Sequence, residues 1–272
     1  MQLLLFAFIF GTLLGSFLNV VIFRIPKDES IVFPSSHCTA CGNSLKAWHN
    51  IPLFSWIVLR GKCYFCDSKI SMQYPIIEFL SGLIFLVLAY KFGISFPIFL
   101  IGLSFLMLLA LSMIDFKYKM VPDSLNLLAI LFAVLGSWSI GGIFTNLQNA
   151  LLFAGGFTLL RFTLSYLLTA SAHREAKKTQ TSWTKNYHTY PFIEAMGEGD
   201  IMVAATMGAL LGVKLTLVAI FLSALLALPV MLLLRGRTPE EQRVPFVPFL
   251  AMATFIVYLF DSPILAYIEA NY

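Results

Sequence analysis

Apolar residues run along this chain in long unbroken stretches, not in the alternation of a half-buried strand or the one-sided stripe of a soluble helix. Crossing about 30 Å of hydrocarbon takes roughly 20 residues at a rise of about 1.5 Å each, and on that scale the stretches are candidate spans. Eight are found, near 3–23, 75–92, 96–114, 124–141, 147–169, 200–213, 215–234 and 246–262. The sixth is short, and its separation from the seventh rests on Gly212 and Lys214, so a count of seven stays open. No basic residue precedes the first run, Arg24 and Lys27 follow it, and no small-residue cleavage site is evident. It therefore reads as a retained span, not a signal peptide. No internal repeat or low-complexity tract is found.

Composition agrees with the pattern. The chain is 59% hydrophobic and 12% charged, with a mean hydropathy of +0.85, whereas a soluble domain carries about 25% charged residues. The expected fold class is an all-α polytopic membrane protein of about eight transmembrane helices. Its net charge of +4 reports orientation more than partners, and nucleic acid is not an expected partner. Lysine and arginine collect in alternate loops: Arg24, Lys27, Lys46, Arg60, Lys62 and Lys69; Lys117 and Lys119; Arg174, Lys177, Lys178 and Lys185; Arg235, Arg237 and Arg243. Only Lys91, Arg161 and Lys214 fall elsewhere. The positive-inside rule then sets both termini outside and the four basic loops in the cytoplasm. Arg161, inside the fifth span, is expected to snorkel to the headgroups or pair with an acid.

Residues 24–74, between the first two spans, form the one sizeable polar segment and carry all four cysteines, as Cys38-x-x-Cys41 and Cys63-x-x-Cys66. Two such pairs have the spacing of a tetrahedral thiolate zinc site, and a module this small has too little core to fold comfortably without a staple. Redox pairs and disulfides are the alternatives. Both fit less well, because the cytoplasm is reducing and the strand and helix context of a thioredoxin motif is missing. His37 and His49 are then surplus to a closed shell and expected to be solvated. The chain divides as 1–23, a first span; 24–74, the zinc-binding module; and 75–272, the remaining membrane domain.

Three acids lie near the cytoplasmic membrane edge. Asp123, in "VPDSLN", reads as the N-cap of the fourth span. Asp115 ends a long apolar run where a helix C-terminus disfavours negative charge. Asp200 follows "GEG", whose glycines permit close backbone approach, and is either functional or an N-cap of the sixth span. A carboxylate near lipid is a functional candidate by default. Two carboxyl groups within reach of each other do not readily both ionise, so one can activate water while the other, protonated, polarises a carbonyl. That division of labour hydrolyses a peptide bond without a metal or a nucleophilic side chain.

At these residues the chain resembles the bacterial type IV prepilin peptidases, bifunctional leader peptidases and N-methyltransferases among the membrane aspartic proteases with a G-x-G-D motif. The resemblance is carried by "GSFLNVVIFR" (15–24), the two cysteine pairs, "NIPLFSWIVLRGKC" (50–63), "YPIIE" (74–78), "IDFKYKMVPD" (114–123), "GEGD" (197–200) and "VPFVPFLA" (244–251). It implies that Asp115 and Asp200 are the catalytic pair. It implies cleavage of a basic leader from prepilins or pseudopilins after a glycine. Methylation of the new N-terminal residue, usually phenylalanine, with S-adenosylmethionine would follow, in association with the module of Cys38, Cys41, Cys63 and Cys66. Gly61, in "RGKC", is the candidate for close approach to cofactor or substrate, with a simple turn glycine as the alternative.

The chain departs from the family pattern at Met202, at Val247 and in a long loop near 170–197 containing Trp183 and Tyr187. A basic loop gains nothing from a basic leader, so recognition is expected from the substrate's apolar helix and from acids such as Glu198 or Asp123. The other readings are a peptidase without methylation, a transporter using intramembrane carboxylates, and a zinc-dependent scaffold. A transporter would hold its acids near the midplane, often on broken helices.

Overall fold

A computed structural model of the 272-residue chain describes residues 2–179, 193–233 and 244–271. The described elements are helical: α1 (Gln2–Arg24), α2 (Phe54–Val58), α3 (Gln73–Phe92), α4 (Phe96–Tyr118), α5 (Asp123–Gly136), α6 (Trp138–Gly141), α7 (Ile143–Thr179), α8 (Glu198–Leu233), α9 (Val247–Leu259) and α10 (Asp261–Asn271). Of strand structure the described residues hold two isolated bridges, His37 with Ser44 and Lys62 with Lys69. The loop residues Trp183, Lys185, Tyr187, Arg235, Arg237 and Arg243 lie outside the described residues.

Helices α1, α3, α4, α7 and α8 are each long and apolar enough to cross a membrane, and α9 and α10 qualify together but meet at a bend of 78°. The fourth expected span divides into α5 and α6 at Ser137, and α5 alone is shorter than a full crossing. At Gly212 the backbone of α8 leaves helical geometry, with φ 70° and ψ −177°. The Thr216 hydroxyl then reaches the Met207 carbonyl at 3.2 Å, a pair that straight helix would hold about 13 Å apart. Ile220 likewise packs on the cluster of Phe153, Phe157 and Ala204. The chain turns back at Gly212, so 198–211 and 213–233 are separate segments and correspond to the sixth and seventh expected spans.

Small residues set the closest helix contacts. A Cβ on Gly11 would lie 2.6 Å from the Ser81 carbonyl oxygen, one on Gly15 2.8 Å from the Ser81 side chain, and one on Gly82 2.7 Å from Thr12. Such close backbone approach drives helix association where lipid removes the hydrophobic contrast. The core forms around α4 and α8, with Leu108, Leu111, Ile114, Val203 and Met207 fully buried, while Leu13, Phe17, Leu159, Phe162, Leu217 and Phe221 face outward. An outer surface this apolar needs a bilayer around it. At one end of the bundle Lys91 pairs with Asp261 at 2.6 Å and also donates to the Leu259 carbonyl, clamping α3 to the bend between α9 and α10. At the other end lie the cysteine module and both candidate aspartates.

Candidate functional site

Asp115 sits on the last turn of α4 and is buried, with 8% exposure. Lys119 closes that helix in the left-handed region, φ 53°, its amide donating to the Asp115 carbonyl at 2.9 Å. The Asp115 carboxylate accepts a hydrogen bond at 3.1 Å from the amide of Val247, the first residue of α9. An orphan amide at a helix N-terminus is a natural anion partner, so α9 orients the carboxylate that α4 presents. Val247, noted in sequence as a departure, contributes its backbone, for which side-chain identity matters little.

Asp200 lies half-buried in the first turn of α8, hydrogen-bonded with the Gly197 backbone and close enough to Asp115 for their charges to repel. Gly199 makes that approach possible: a Cβ there would fall 2.4 Å from Cβ of Val121, in the loop that joins α4 to α5. The structure thus brings Asp115 and Asp200 together. Asp123 behaves differently from the expectation of a capping residue. The N-cap position falls on Pro122, no side-chain cap bond forms, and Asp123 is an exposed first-turn acid, favourably placed toward the helix dipole.

Sequence reading did not anticipate how the G-x-G-D segment is held. Arg161, Ser165 and Thr169 repeat at four-residue spacing along one face of α7. Ser165 and Thr169 hydroxyls accept from the amides of Ala195 and Ile193, both at 3.0 Å, and Arg161 pairs with Glu198 at 2.9 Å and Glu194 at 3.1 Å. The lone arginine of the fifth span is therefore paired, though with exposed acids, and it grips the segment leading to Asp200.

The four cysteine sulfurs lie within 4.8 Å of one another, and none is in a disulfide. Cys38 and Cys66 sulfurs stand 3.9 Å apart, beside the edge of about 3.8 Å expected of a tetrahedron with bonds of about 2.3 Å. The two turns are built alike. Gly42 donates to the Cys38 carbonyl at 2.8 Å and Asp67 to the Cys63 carbonyl at 3.0 Å, with both donors at positive φ. This local echo of "CTACGN" in "CYFCDS" is too short to register as a sequence repeat. The backbone amide of Cys41 brings the Cys38 thiol down to about 6, and the Ser68 hydroxyl lowers Cys66. At Cys41 the amide of Asn43 is outweighed by desolvation and the neighbouring thiols, and the group is pushed up to about 11. Sulfurs this crowded ionise together only around a cation.

His37 and His49 stand outside the cluster. His49 departs from the expected solvated state: it is buried among Trp48, Tyr64 and Phe65, with Nδ1 accepting from the Lys46 amide at 3.2 Å. Gly61 is buried at φ 67°, where a Cβ would meet the Trp56 ring at 2.8 Å. The turn and the ring alone require glycine there. Trp56, not Gly61, lines a cavity of about 600 Å³ between the module and the ends of α1, α3 and α4, a size typical of small-molecule sites.

Comparison with known proteins defines the class. Residues 9–92 match the bacterial peptidase A24 N-terminal domain and residues 102–232 the type IV leader peptidase family. The chain is 34% identical to the prepilin leader peptidase/N-methyltransferase of Neisseria gonorrhoeae, over 93% of this chain and 88% of the relative. It is 32% identical to the enzyme of that name from Stutzerimonas stutzeri, over 96% and 91%, and 31% identical to that from Pseudomonas aeruginosa, over 93% and 89%. The chain belongs to the type IV leader peptidase family. No solved structure matches it.

Proposed function

We propose that this chain removes the basic leader of type IV prepilins or pseudopilins after a glycine, at the cytoplasmic face of a bacterial inner membrane, and then methylates the new N-terminus. The observation that best supports hydrolysis is the meeting of Asp115 and Asp200 at one end of the bundle, on helix ends that water and a substrate helix can both reach. The ionised member of the pair takes a proton from water as the water oxygen bonds to the scissile carbonyl carbon. The protonated member donates to the carbonyl oxygen. Collapse breaks the C–N bond, and the leaving nitrogen takes up a proton from the pair.

Four cysteines hold zinc in this reading, closing a tetrahedron that leaves no open position for chemistry. Zinc then supplies folding energy to residues 24–74, where only His49, Gly61 and Cys63 are buried between Arg24 and Met72. S-adenosylmethionine supplies the methyl group when bound, and the cavity beside the module has the size and aromatic walls to hold it. Residues 1–23, 24–74 and 75–272 act as first span, zinc-binding module associated with methylation, and peptidase domain.

The test is to incubate membranes with a model prepilin and follow leader loss and N-terminal mass together. Wild type is expected to yield a shortened, methylated product. Asp115→Asn or Asp200→Asn should abolish cleavage, by at least about a thousandfold, with expression and zinc content kept. Normal turnover by either variant sinks the dyad, and cleavage without methylation reduces the activity to a peptidase. Asp123→Asn should stay within a few fold of wild type, since it lies exposed and caps nothing.

A further inference from the structure

Glu78 is a buried acid that hydrolysis does not use. It lies in the first turns of α3, is 7% exposed and lines the cavity between the module and the membrane helices. Its carboxylate accepts from the Leu53 amide at 2.7 Å and from the Ser16 hydroxyl. Among the described residues no lysine or arginine pairs with it. A carboxylate has about four acceptor positions, so two donors leave it half satisfied. A buried, unpaired carboxylate is costly, and a cationic ligand relieves that cost.

Asn19 faces Glu78 from the neighbouring helix. It is 1% exposed, and its amide nitrogen donates to the Gly15 carbonyl at 3.3 Å and the Tyr74 carbonyl at 3.2 Å, leaving Oδ1 without a partner. Tyr74 precedes Glu78 by about one helical turn, and Asn19 follows Ser16 by about the same. The α1 and α3 helices therefore bring a carboxylate on the cavity wall near an orphan carbonyl oxygen that is itself sealed from solvent. Both are acceptors. Phe23 and Tyr74, each about one turn from these groups on its own helix, and Trp56 of the module add aromatic lining, which suits a ligand with an apolar body and a positive, hydrogen-rich head.

The cavity also adjoins the aspartate pair. Lys117 and Tyr118 form part of its wall and follow Asp115 on the last turn of α4, so the cavity reaches the end of the helix that carries Asp115. Lys117 is held 4.4 Å over the Phe23 ring and 5.2 Å over the Tyr118 ring.

We propose that this cavity is the methyl-transfer chamber and that Glu78 binds the substrate's new terminal amine and takes its proton. The inference rests on the methyltransferase reading above. The ammonium gives one proton to the Glu78 carboxylate. The freed nitrogen pair forms a bond to the methyl carbon as the carbon–sulfur pair leaves with sulfur, giving a neutral thioether and a methylated ammonium. Glu78 then returns its proton to water, so each turnover releases one proton.

Glu78→Gln keeps the shape and an oxygen for the Leu53 amide but removes the charge. In membranes supplied with a model prepilin and S-adenosylmethionine, it should cleave within about threefold of wild type and methylate at least about a hundredfold more slowly, the span of a lost general base. Binding of S-adenosylhomocysteine, measured by equilibrium dialysis on detergent-purified protein, should change by less than about threefold, since the donor is held elsewhere in the cavity. Methylation near the wild-type rate overturns the assignment, and so does a loss of S-adenosylhomocysteine binding, which puts Glu78 on the donor instead. Wild type that cleaves but never methylates overturns the underlying methyltransferase reading and this inference with it.

Should Glu78→Gln also lose zinc and cleavage, a protein that keeps Glu78 decides. A synthetic mature-pilin peptide with a free N-terminal phenylalanine should bind an Asp115→Asn, Asp200→Asn protein at least about tenfold more tightly than its N-acetyl form, because acetylation removes the positive head. Equal binding of the two peptides refutes amine recognition.

Discussion

Gly199 shows how one missing side chain sets the approach of Asp200 to the end of α4. The segment before α8 can press on Val121 only because no Cβ intervenes, and a Cβ would sit 2.4 Å from that of Val121. Either α8 or the α4–α5 loop must move, and overpacking of this kind costs about 1–3 kcal/mol. Gly199→Ala is expected to cut cleavage by tenfold or more while leaving methylation of an already cleaved peptide intact, and Val121→Gly in the same chain should restore most of the loss. A double-mutant cycle on the cleavage rate measures this coupling, and strictly additive effects would show that the contact does not position Asp200. Asp115, Asp200 and the cysteines could be read from sequence because acids at a lipid boundary and paired cysteines are rare and chemically committed. Glu78, an acid entering an apolar run in "YPIIE", is open to the same reading, but its burial and lack of a cationic partner show only in the fold. The Val247 amide was beyond reach, since a backbone donor leaves no trace in residue type.

At the scale of elements, the face of α7 bearing Arg161, Ser165 and Thr169 is a clamp on residues 193–198. Its four-residue spacing was visible, but the partners are distant in sequence, and only the packing of α7 on α8 discloses them. Exposed ion pairs contribute about 1 kcal/mol or less to stability, so the clamp's value lies in placing Asp200. Arg161→Gln with Ser165→Ala should therefore lower kcat for cleavage about tenfold or more with little change in melting temperature. A variant that loses stability in proportion to activity would argue for a simple packing role.

The cysteine module makes the opposite case, since on the zinc reading proposed above its metal holds its fold together. With so few buried side chains, residues 24–72 have little apolar burial to offset backbone ordering at about 1 kcal/mol per residue. Structural zinc supplies on the order of 10–16 kcal/mol. Replacing Cys38 and Cys41 by serine should release the metal, counted by mass spectrometry, and open the module to protease. Zinc retained in that variant would locate the metal elsewhere. Methylation should fail before cleavage, because Cys38 and Cys63 line the cavity and Leu53 of the same module donates to Glu78, whereas Asp115 and Asp200 are held by α4, α8 and α9.

Across the whole molecule, one helical turn at the end of α4 carries Asp115, which meets Asp200, together with Lys117 and Tyr118, which wall the cavity. The apolar runs and the module were legible because hydrophobic length and cysteine spacing are local properties, but the count of eight full spans was not, since five helices among the described residues are long enough to cross, or six with the bent pair. Nor was the nearness of the cavity to the end of α4, which depends on how α1, α3 and α4 pack. On the reading proposed above, order of reaction is a property of the fold: the amine arises only after cleavage at the aspartates, near the cavity that receives it. Withholding S-adenosylmethionine should accordingly leave cleavage at its full rate and yield an unmethylated product, and methylation should resume when the cofactor is added back without fresh substrate. The hydrolytic rate itself should fall at both low and high pH, since one carboxyl must be ionised and its partner protonated. A chelator should act only slowly, through loss of the module. If it stops cleavage at once in protein whose module still resists protease, and zinc restores the rate, a catalytic metal has taken the place of the aspartate pair.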